Sequence, residues 1–298
     1  QVMARHESLR TTFQQHQDDE VTQVIHREMT LPWTEENLCQ ELQSLPGSEV
    51  DERIRAYVNQ QSSTVFDLEQ GPLWQVSTVR LAEEDYLLVV TIHHIITDGW
   101  SMSVLLQEVC ECYEAYQQSR QPELVDLPLQ YADFSVWQQT ALGDEVQQQH
   151  LNYWVEALSD TPPLLALPTD YLRPNIQRHC GASERVEIPH ALLDRLKGVS
   201  EAEQTTLFMS LFSMFSVLLQ RYSGQTDIVV GTPKANRPHP DLEHVMGFFL
   251  NTLLLRTNVA NDQSIDALLA TVKETTLSAY EHENVSFEKL VEVLQPER

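Results

Sequence analysis

The chain has few basic residues, and this shortage excludes several classes of partner. Nineteen Lys and Arg stand against 44 Asp and Glu, which gives a formal net charge of −25. Proteins bind phosphate backbones through clustered basic side chains, and this sequence contains no dense basic patch. We therefore predict neither a nucleic-acid partner nor an anionic membrane partner, and we interpret the acidic surface as one that keeps the protein soluble.

Cysteine, glycine and long apolar runs are also scarce. The four cysteines are Cys39, Cys110, Cys112 and Cys180. Their spacing fits neither a zinc site nor a disulfide framework, so we predict no metal and interpret them as buried thiols of a reducing, cytoplasmic compartment. Nine Gly are too few for a low-complexity or fibrous chain. No apolar run approaches the roughly 20 residues of a membrane span, and no signal peptide opens the chain.

Strand and helix patterns alternate along the sequence, which predicts a mixed α/β (α+β) fold. Residues 73–81 and 86–92 are strand-like runs separated by a short polar segment, as in a hairpin. The second run is apolar on both faces, so we predict a central strand buried on both sides. A helix is expected at about 102–117. Its predicted buried stripe consists of Leu105, Val109, Cys112 and Tyr116.

The remaining elements follow from the same patterns. Further strands are predicted at 9–13, 21–25, 184–188, 227–230 and 248–256. Further helices are predicted at 49–61, 131–158, from 190, 206–222, 264–280 and 286–295. Residues 33–48 are interpreted as a polar loop, and the helix at 206–222 is apolar nearly all round, which predicts burial on every side. The polar segment 118–130 is interpreted as a crossing between lobes, with a division into 1–126 and 127–298.

Two histidines and an aspartate follow the predicted central strand, in the segment HHIITDG at 93–99. Because successive strand side chains point to opposite faces, His93 and His94 cannot both face one cleft. One is therefore expected to serve chemistry and the other structure. Asp98 lies in a turn before a helix, where it can cap the helix, orient a histidine or pair with an arginine. Gly99 permits a positive φ or a close backbone approach.

Other interpretations of this segment remain open on the residues alone. A histidine at a strand end is often a hydrogen-bonded structural residue, and short motifs produce false matches. A zinc site fits poorly, because adjacent strand histidines point apart and no third ligand with suitable spacing is present. A serine nucleophile has no support, since no G-x-S-x-G elbow occurs.

Six segments, in order, resemble the motif set of the condensation domains of nonribosomal peptide synthetases. HHIITDGWS at 93–101 resembles the HHxxxDG motif of that family. The other five are RHESLRTTF at 5–13, YADFSVW at 131–137, GTPKANR at 231–237, GFFLNTLLLR at 247–256 and HENVSFE at 282–288. The last one departs from HQDxPFE at Glu283, Asn284 and Ser286. The first and last motifs of the family are absent, so we expect a fragment that lacks both ends.

The resemblance implies two chloramphenicol-acetyltransferase-like lobes in a V arrangement, both incomplete here, with a tunnel between them. It implies amide (peptide) bond formation between an acyl or peptidyl thioester donor and an aminoacyl thioester acceptor, in the biosynthesis of secondary metabolites such as antibiotics. Both substrates are expected to be tethered through phosphopantetheine to donor and acceptor peptidyl carrier proteins. It also implies an adjacent adenylation domain in the same megasynthase and no directly bound cofactor.

The resemblance further implies roles for individual residues. His94 occupies the position that the family uses to take a proton from the attacking amine or to orient it, beside His93 and Gly99. Asp98 resembles the structural acid of the family, which pairs with an arginine. The candidate arginines are Arg10 and Arg237. The remaining candidates near the tunnel are Trp100, Ser101 and Asn251, of which Asn251 is equally well interpreted as an ordinary strand-end residue.

Several other activities with the same fold compete with amide synthesis. An epimerisation domain resembles this chain at HHxxxDG but usually continues with Val-Ser-Trp, whereas this sequence continues with Trp100 and Ser101. Heterocyclisation variants replace the histidine pair with aspartate. A free-standing acyltransferase shares the HxxxD core, and an inactive scaffold that positions carrier proteins is the remaining option. The intact His94 and Asp98 argue against the scaffold.

Overall fold

The computed structural model describes residues 1–17, 20–140, 143–172, 174, 176 and 181–295. The chain divides into two compact units. The first contains Gln1–Ala141 and Ala235–Leu250, and the second contains Leu142–Lys234 and Asn251–Arg298. Residues 127–141 and 235–250 thus pack with the unit that carries the two histidines, while the lobe division after residue 126 stays a prediction.

The first unit combines short helices with two small sheets. Its helices are α1 (Val2–Arg5), α2 (Cys39–Ser44), α3 (Gly47–Ser62), α4 (Gly99–Gln117) and α5 (Tyr131–Thr140). Its strands are β1 (Thr11–Gln15), β2 (Val21–Ile25), β3 (Trp33–Asn37), β4 (Trp74–Arg80) and β5 (Tyr86–Ile92). Strands β1 and β2 pair antiparallel, and β3 runs parallel to β4 in a second sheet of order β3-β4-β5. The mixture of helices and strands confirms the predicted α/β (α+β) class.

The hairpin predicted from the two strand-like runs is confirmed. Strands β4 and β5 pair antiparallel from Trp74 opposite Ile92 to Arg80 opposite Tyr86. The prediction that the second run is a central strand is wrong for the described residues, because β5 pairs only with β4 and both Tyr86 and Leu88 are exposed. An apolar run indicates a strand, but whether a second neighbour lies beside it depends on the rest of the fold.

Two further expectations for this unit are corrected. Residues 33–48 contain β3 and α2 rather than only a loop. Every side chain of β3 is exposed, so the strand carries no apolar alternation that could have revealed it. In α4, Leu105 is buried as predicted, but Tyr116 is 85% exposed. Ala115 faces the core instead of Tyr116.

Two apolar clusters of the first unit lie on either side of the histidine segment. The larger cluster includes Leu9, Leu73, Trp74, Ile96, Leu105 and Met246. Within it, Trp74 Nε1 donates a hydrogen bond of 2.9 Å to the carbonyl oxygen of Leu9. The smaller cluster contains Phe134, Leu242, Val245 and Phe249. Burying each large apolar side chain stabilises the fold by about 1.5–3 kcal/mol.

The second unit packs helices on a two-stranded antiparallel sheet. Its helices are α6 (Asp144–Ala157), α7 (His190–Ala202), α8 (Leu207–Ser223), α9 (Ile265–Glu281) and α10 (Phe287–Leu294). Its strands are β6 (Asp227–Lys234) and β7 (Asn251–Asn258). Trp154, Phe212, Ile228, Leu255 and Val272 are among its buried core residues.

Helix α8 has the predicted position, and it ends at Gly224, whose φ of +72° suits glycine. The prediction of burial on every side is wrong for the described residues. Phe212 faces the core, whereas Phe215 and Leu218 are about half exposed. The strand predicted at 184–188 is also absent, because no described residue pairs with this extended segment.

The cysteines and the helix lengths complete the comparison. Cys110 is exposed, so the interpretation as a buried thiol is wrong for it, while Cys39 and Cys112 are partly buried and free. Cys180 lies outside the described residues. In the described part of the chain, no single helix has the length and apolarity to cross a membrane. Only α7 and α8 together reach them, as a pair bent by 105°.

Candidate active site

The two histidines have different surroundings, as expected from their adjacent positions. Strand β5 ends at Ile92, and residues His94–Ile96 form one turn of 3-10 helix. His93 Nδ1 accepts a hydrogen bond of 3.1 Å from the backbone N–H of Ile95, so His93 caps this turn. The His94 side chain is exposed, and its ring meets the ring of Phe248 edge to face at 5.1 Å. His94 is therefore the accessible imidazole of the pair.

Asp98 is buried and organises the start of α4. Its Oδ1 accepts a hydrogen bond of 2.7 Å from the backbone N–H of Ser101, which caps the helix. Its Oδ2 accepts one of 3.1 Å from the backbone N–H of Phe249. Only 3% of Asp98 is exposed. In the part of the chain described, its carboxylate thus holds backbone groups and an arginine rather than a histidine.

That arginine is Arg237, and Arg10 lies elsewhere. Arg237 Nη2 lies 3.4 Å from Asp98 Oδ1 and donates a hydrogen bond of 3.0 Å to Ser101 Oγ. Its guanidinium lies 3.9 Å from the centre of the Phe249 ring. Burial lowers the pKa of Arg237, and the charge of Asp98 opposes that change. Arg10 instead donates a hydrogen bond of 2.7 Å to the carbonyl oxygen of His26.

Met246–Phe249, which we call the strap, passes between these side chains without joining a strand. Ser101 Oγ accepts a hydrogen bond of 3.1 Å from the N–H of Gly247 and lies 2.9 Å from its carbonyl oxygen. Strand β7 accordingly begins at Asn251, and the strand predicted from residue 248 starts three residues later. Side chains occupy the backbone groups that a neighbouring strand would need.

Tyr131 holds the strap from its other side. Its hydroxyl donates a hydrogen bond of 2.9 Å to the carbonyl oxygen of Phe248. Burial, together with the nearby charge of Asp98, raises the pKa of Tyr131 to about 12. A Cβ atom on Gly247 would lie only 2.3 Å from Tyr131 Cδ2, so the close packing at this point requires glycine.

The remaining candidates have structural contacts. Trp100 Nε1 donates a hydrogen bond of 2.8 Å to the carbonyl oxygen of Glu243. Gly99 has neither a positive φ nor any described atom within 4 Å of a built Cβ. In the second unit, Asn251 Nδ2 donates to the carbonyl oxygens of Glu283 and Val285 at 2.9 and 3.0 Å. Its amide thus fixes the backbone of the HENVSFE segment.

Sequence reasoning missed the residues that hold the strap or touch His94. Phe248 was interpreted as part of a strand, and Tyr131 as a core residue. Both belong to motif segments, so the signal was present. Hydrogen bonds from a side chain to a distant backbone leave no periodicity, however, and the roles of these two residues were therefore not apparent.

Comparisons with known proteins agree with this geometry. A family model described as "Condensation domain" matches residues 1–298. The chain is 43% identical over 297 residues to part of the linear gramicidin synthase of Brevibacillus parabrevis, covering 100% of this chain and 6% of that protein. The X-domain from teicoplanin biosynthesis superposes with a TM-score of 0.85 at 28% identity, covering 99% of this chain and 64% of that one.

A four-domain nonribosomal peptide synthetase bound to AMP and glycine superposes with a TM-score of 0.87 at 25% identity, covering 100% of this chain and 22% of that one. The chain therefore belongs to the condensation domain family of nonribosomal peptide synthetases, which confirms the resemblance drawn from the six motifs. It spans less than two thirds of the length of each of these three relatives.

Proposed function

We propose that this chain catalyses amide bond formation between a carrier-bound acyl or peptidyl thioester and a carrier-bound aminoacyl thioester. The observation that carries the proposal is the exposed imidazole of His94 beside a buried framework. The framework consists of Asp98, Arg237 and the strap. It fixes the backbone around an imidazole that remains accessible to a substrate.

The chemistry that His94 would perform follows from the substrates. A free α-amino group has an ordinary pKa of about 7.7–8.0, so much of it is protonated near neutral pH. In the proposed step, the neutral amine attacks the thioester carbonyl, the C–N bond forms and the C–S bond breaks. His94 accepts the proton of the amine, which finally reaches the departing thiolate. Holding both substrates together contributes up to about 7–11 kcal/mol to lowering the barrier.

The proposed partners are donor and acceptor peptidyl carrier proteins, each with a phosphopantetheine arm, and an adenylation domain in the same megasynthase. The support is family membership and the similarity to a four-domain synthetase. The arms belong to the substrates, so no directly bound cofactor is proposed. A cytoplasmic location, predicted from the cysteine usage, stays part of this proposal.

The test uses the complete domain that contains this chain, with two loaded carrier proteins and intact-mass detection. Amide synthesis moves the donor mass onto the acceptor carrier, and His94→Ala is expected to remove most of that product. The matched control is His16→Ala, because His16 is an exposed histidine of the same unit that contacts Thr22. Hydrogen exchange at Cα without mass transfer would indicate epimerisation. Acylation of a free amine would indicate a free-standing acyltransferase, and no product at all would indicate a scaffold.

A further inference from the structure

The strap begins at Met246, and both backbone polar groups of that residue are held by side chains from the first few residues of the chain. The N–H of Met246 donates a hydrogen bond of 3.4 Å to His6 Nδ1. The carbonyl oxygen of Met246 accepts one of 2.5 Å from Ser8 Oγ. His6 is completely buried. A buried histidine is thus used here as a hydrogen-bond acceptor for backbone.

The other side of the His6 ring fixes its protonation pattern. Since Nδ1 accepts from Met246, the ring proton is on Nε2, which lies 2.8 Å from Glu108 Oε2. Arg5 Nε donates a hydrogen bond of 2.8 Å to the other carboxylate oxygen. Burial raises the pKa of Glu108, but the hydrogen bonds and charges of His6 and Arg5 outweigh it and leave that pKa below its usual value. Glu108 is therefore an anion that orients the imidazole.

These contacts connect the start of the chain to the candidate active site. Gly247 is held by Ser101, Phe248 by Tyr131 and Phe249 by Asp98. Met246 is the one strap residue held by His6. Two residues further on, Phe248 places its ring against the ring of His94.

We propose that His6 is a positioning residue for His94. Through the acceptor atom Nδ1, it sets the start of the strap and thereby the place of the Phe248 ring, against which His94 is oriented. The proposal rests on the proposed function of His94. It assigns a role in the reaction to a residue that touches neither substrate nor His94.

Two substitutions separate the two sides of the His6 ring. His6→Asn places an amide oxygen near the position of Nδ1, so it can still accept from Met246 but gives up Glu108. His6→Gln places an amide N–H near the position of Nε2, so it keeps Glu108 but loses the acceptor for Met246. Both variants are expected to lower the melting temperature. Only His6→Gln is expected to lower kcat per folded molecule, on the order of ten- to a hundredfold, with little change in KM.

A double-mutant cycle with His94→Ala distinguishes positioning from plain stabilisation. If His6 acts through His94, adding His6→Gln to His94→Ala lowers the rate by less than about twofold, while the melting temperature falls as it does in the single variant. Val272→Ala is the control, because Val272 is buried in α9 of the second unit. It should lower the melting temperature and leave kcat unchanged.

The overturning results are equally specific. Equal kcat losses in His6→Asn and His6→Gln, or the same fold-loss for His6→Gln with and without His94, would show that His6 only stabilises the fold. An inactive wild-type domain whose loaded carriers are intact would contradict the proposed function instead, so the two failures are distinguishable.

Discussion

Arg237 and Asp98 form a buried ion pair, with Arg237 Nη2 3.4 Å from Asp98 Oδ1 and both side chains at most 3% exposed. A buried pair adds little net stability, but removing one partner leaves an uncompensated charge that costs about 3–5 kcal/mol. Asp98 also caps α4 and holds Phe249. Its loss should therefore affect folding and the candidate active site together.

We predict that Asp98→Ala lowers both the soluble yield and the activity of the domain. Urea unfolding should show a loss of about 3–5 kcal/mol. The matched control is Asp51→Ala, since Asp51 is exposed on α3 and should leave the free energy of unfolding within about 0.5 kcal/mol of the wild type. Normal yield and unaltered unfolding with lost activity would contradict a structural role for Asp98.

We predict that Gly247→Ala destabilises the first unit, because the new methyl group would meet the Tyr131 ring at 2.3 Å. Overpacking of this kind costs about 1–3 kcal/mol, and the displaced ring would weaken the hydrogen bond from Tyr131 to Phe248. The control is Gly198→Ala in α7, where a Cβ meets nothing within 4 Å. That change should stabilise the helix by roughly 0.5–1 kcal/mol. Thermal unfolding of both variants decides the matter, and a Gly247→Ala domain as stable as wild type would rule out the clash.

Local patterns predicted the elements that depend on local chemistry. The hairpin of β4 and β5 followed from two apolar runs, and the end of α8 followed from Gly224. The HHIITDG segment was identified as the candidate site because two histidines and an aspartate follow a strand. These features need only neighbouring residues, so the sequence alone was sufficient.

Other features depend on contacts that are distant in sequence. Whether β5 has a second neighbour, and whether Arg10 or Arg237 pairs with Asp98, is decided by how separate segments pack. The strap is the clearest example, since its partners His6 and Ser101 lie 240 and 146 residues away from the residues they hold. No spacing rule within the sequence contains that information.

A cluster of aromatic rings in the second unit predicts how stability responds to acid. The rings of His150 and His282 meet at 5.2 Å, and Tyr153 stacks on His282 at 3.8 Å. Among the described residues, His150 Nδ1 is buried without a hydrogen-bond partner. Burial, with a smaller contribution from the neighbouring His282, lowers the pKa of His150.

We therefore predict that His150→Gln reduces the loss of stability in mild acid. The unfolded chain takes up a proton at the ordinary histidine pKa of about 6.5, whereas folded His150 takes it up at lower pH. Stability is unaffected well above that pH, and it falls as the pH drops below it until the folded group is also protonated. Urea unfolding between pH 7.5 and 5 measures the slope for wild type and variant. An unchanged slope in the variant would remove His150 from the explanation.

The pH dependence of His94→Ala distinguishes two ways in which this imidazole can act. If His94 accepts the proton of the attacking amine, its loss matters most where the amine is protonated, below the ordinary amine pKa of about 7.7–8.0. We expect the ratio of wild-type to His94→Ala rates to shrink as the pH rises through that range. The measurement is single-turnover transfer between loaded carrier proteins from pH 6.5 to 9, with His16→Ala as the matched control. A ratio that stays constant across the range would mean that His94 orients the amine through a hydrogen bond rather than taking its proton.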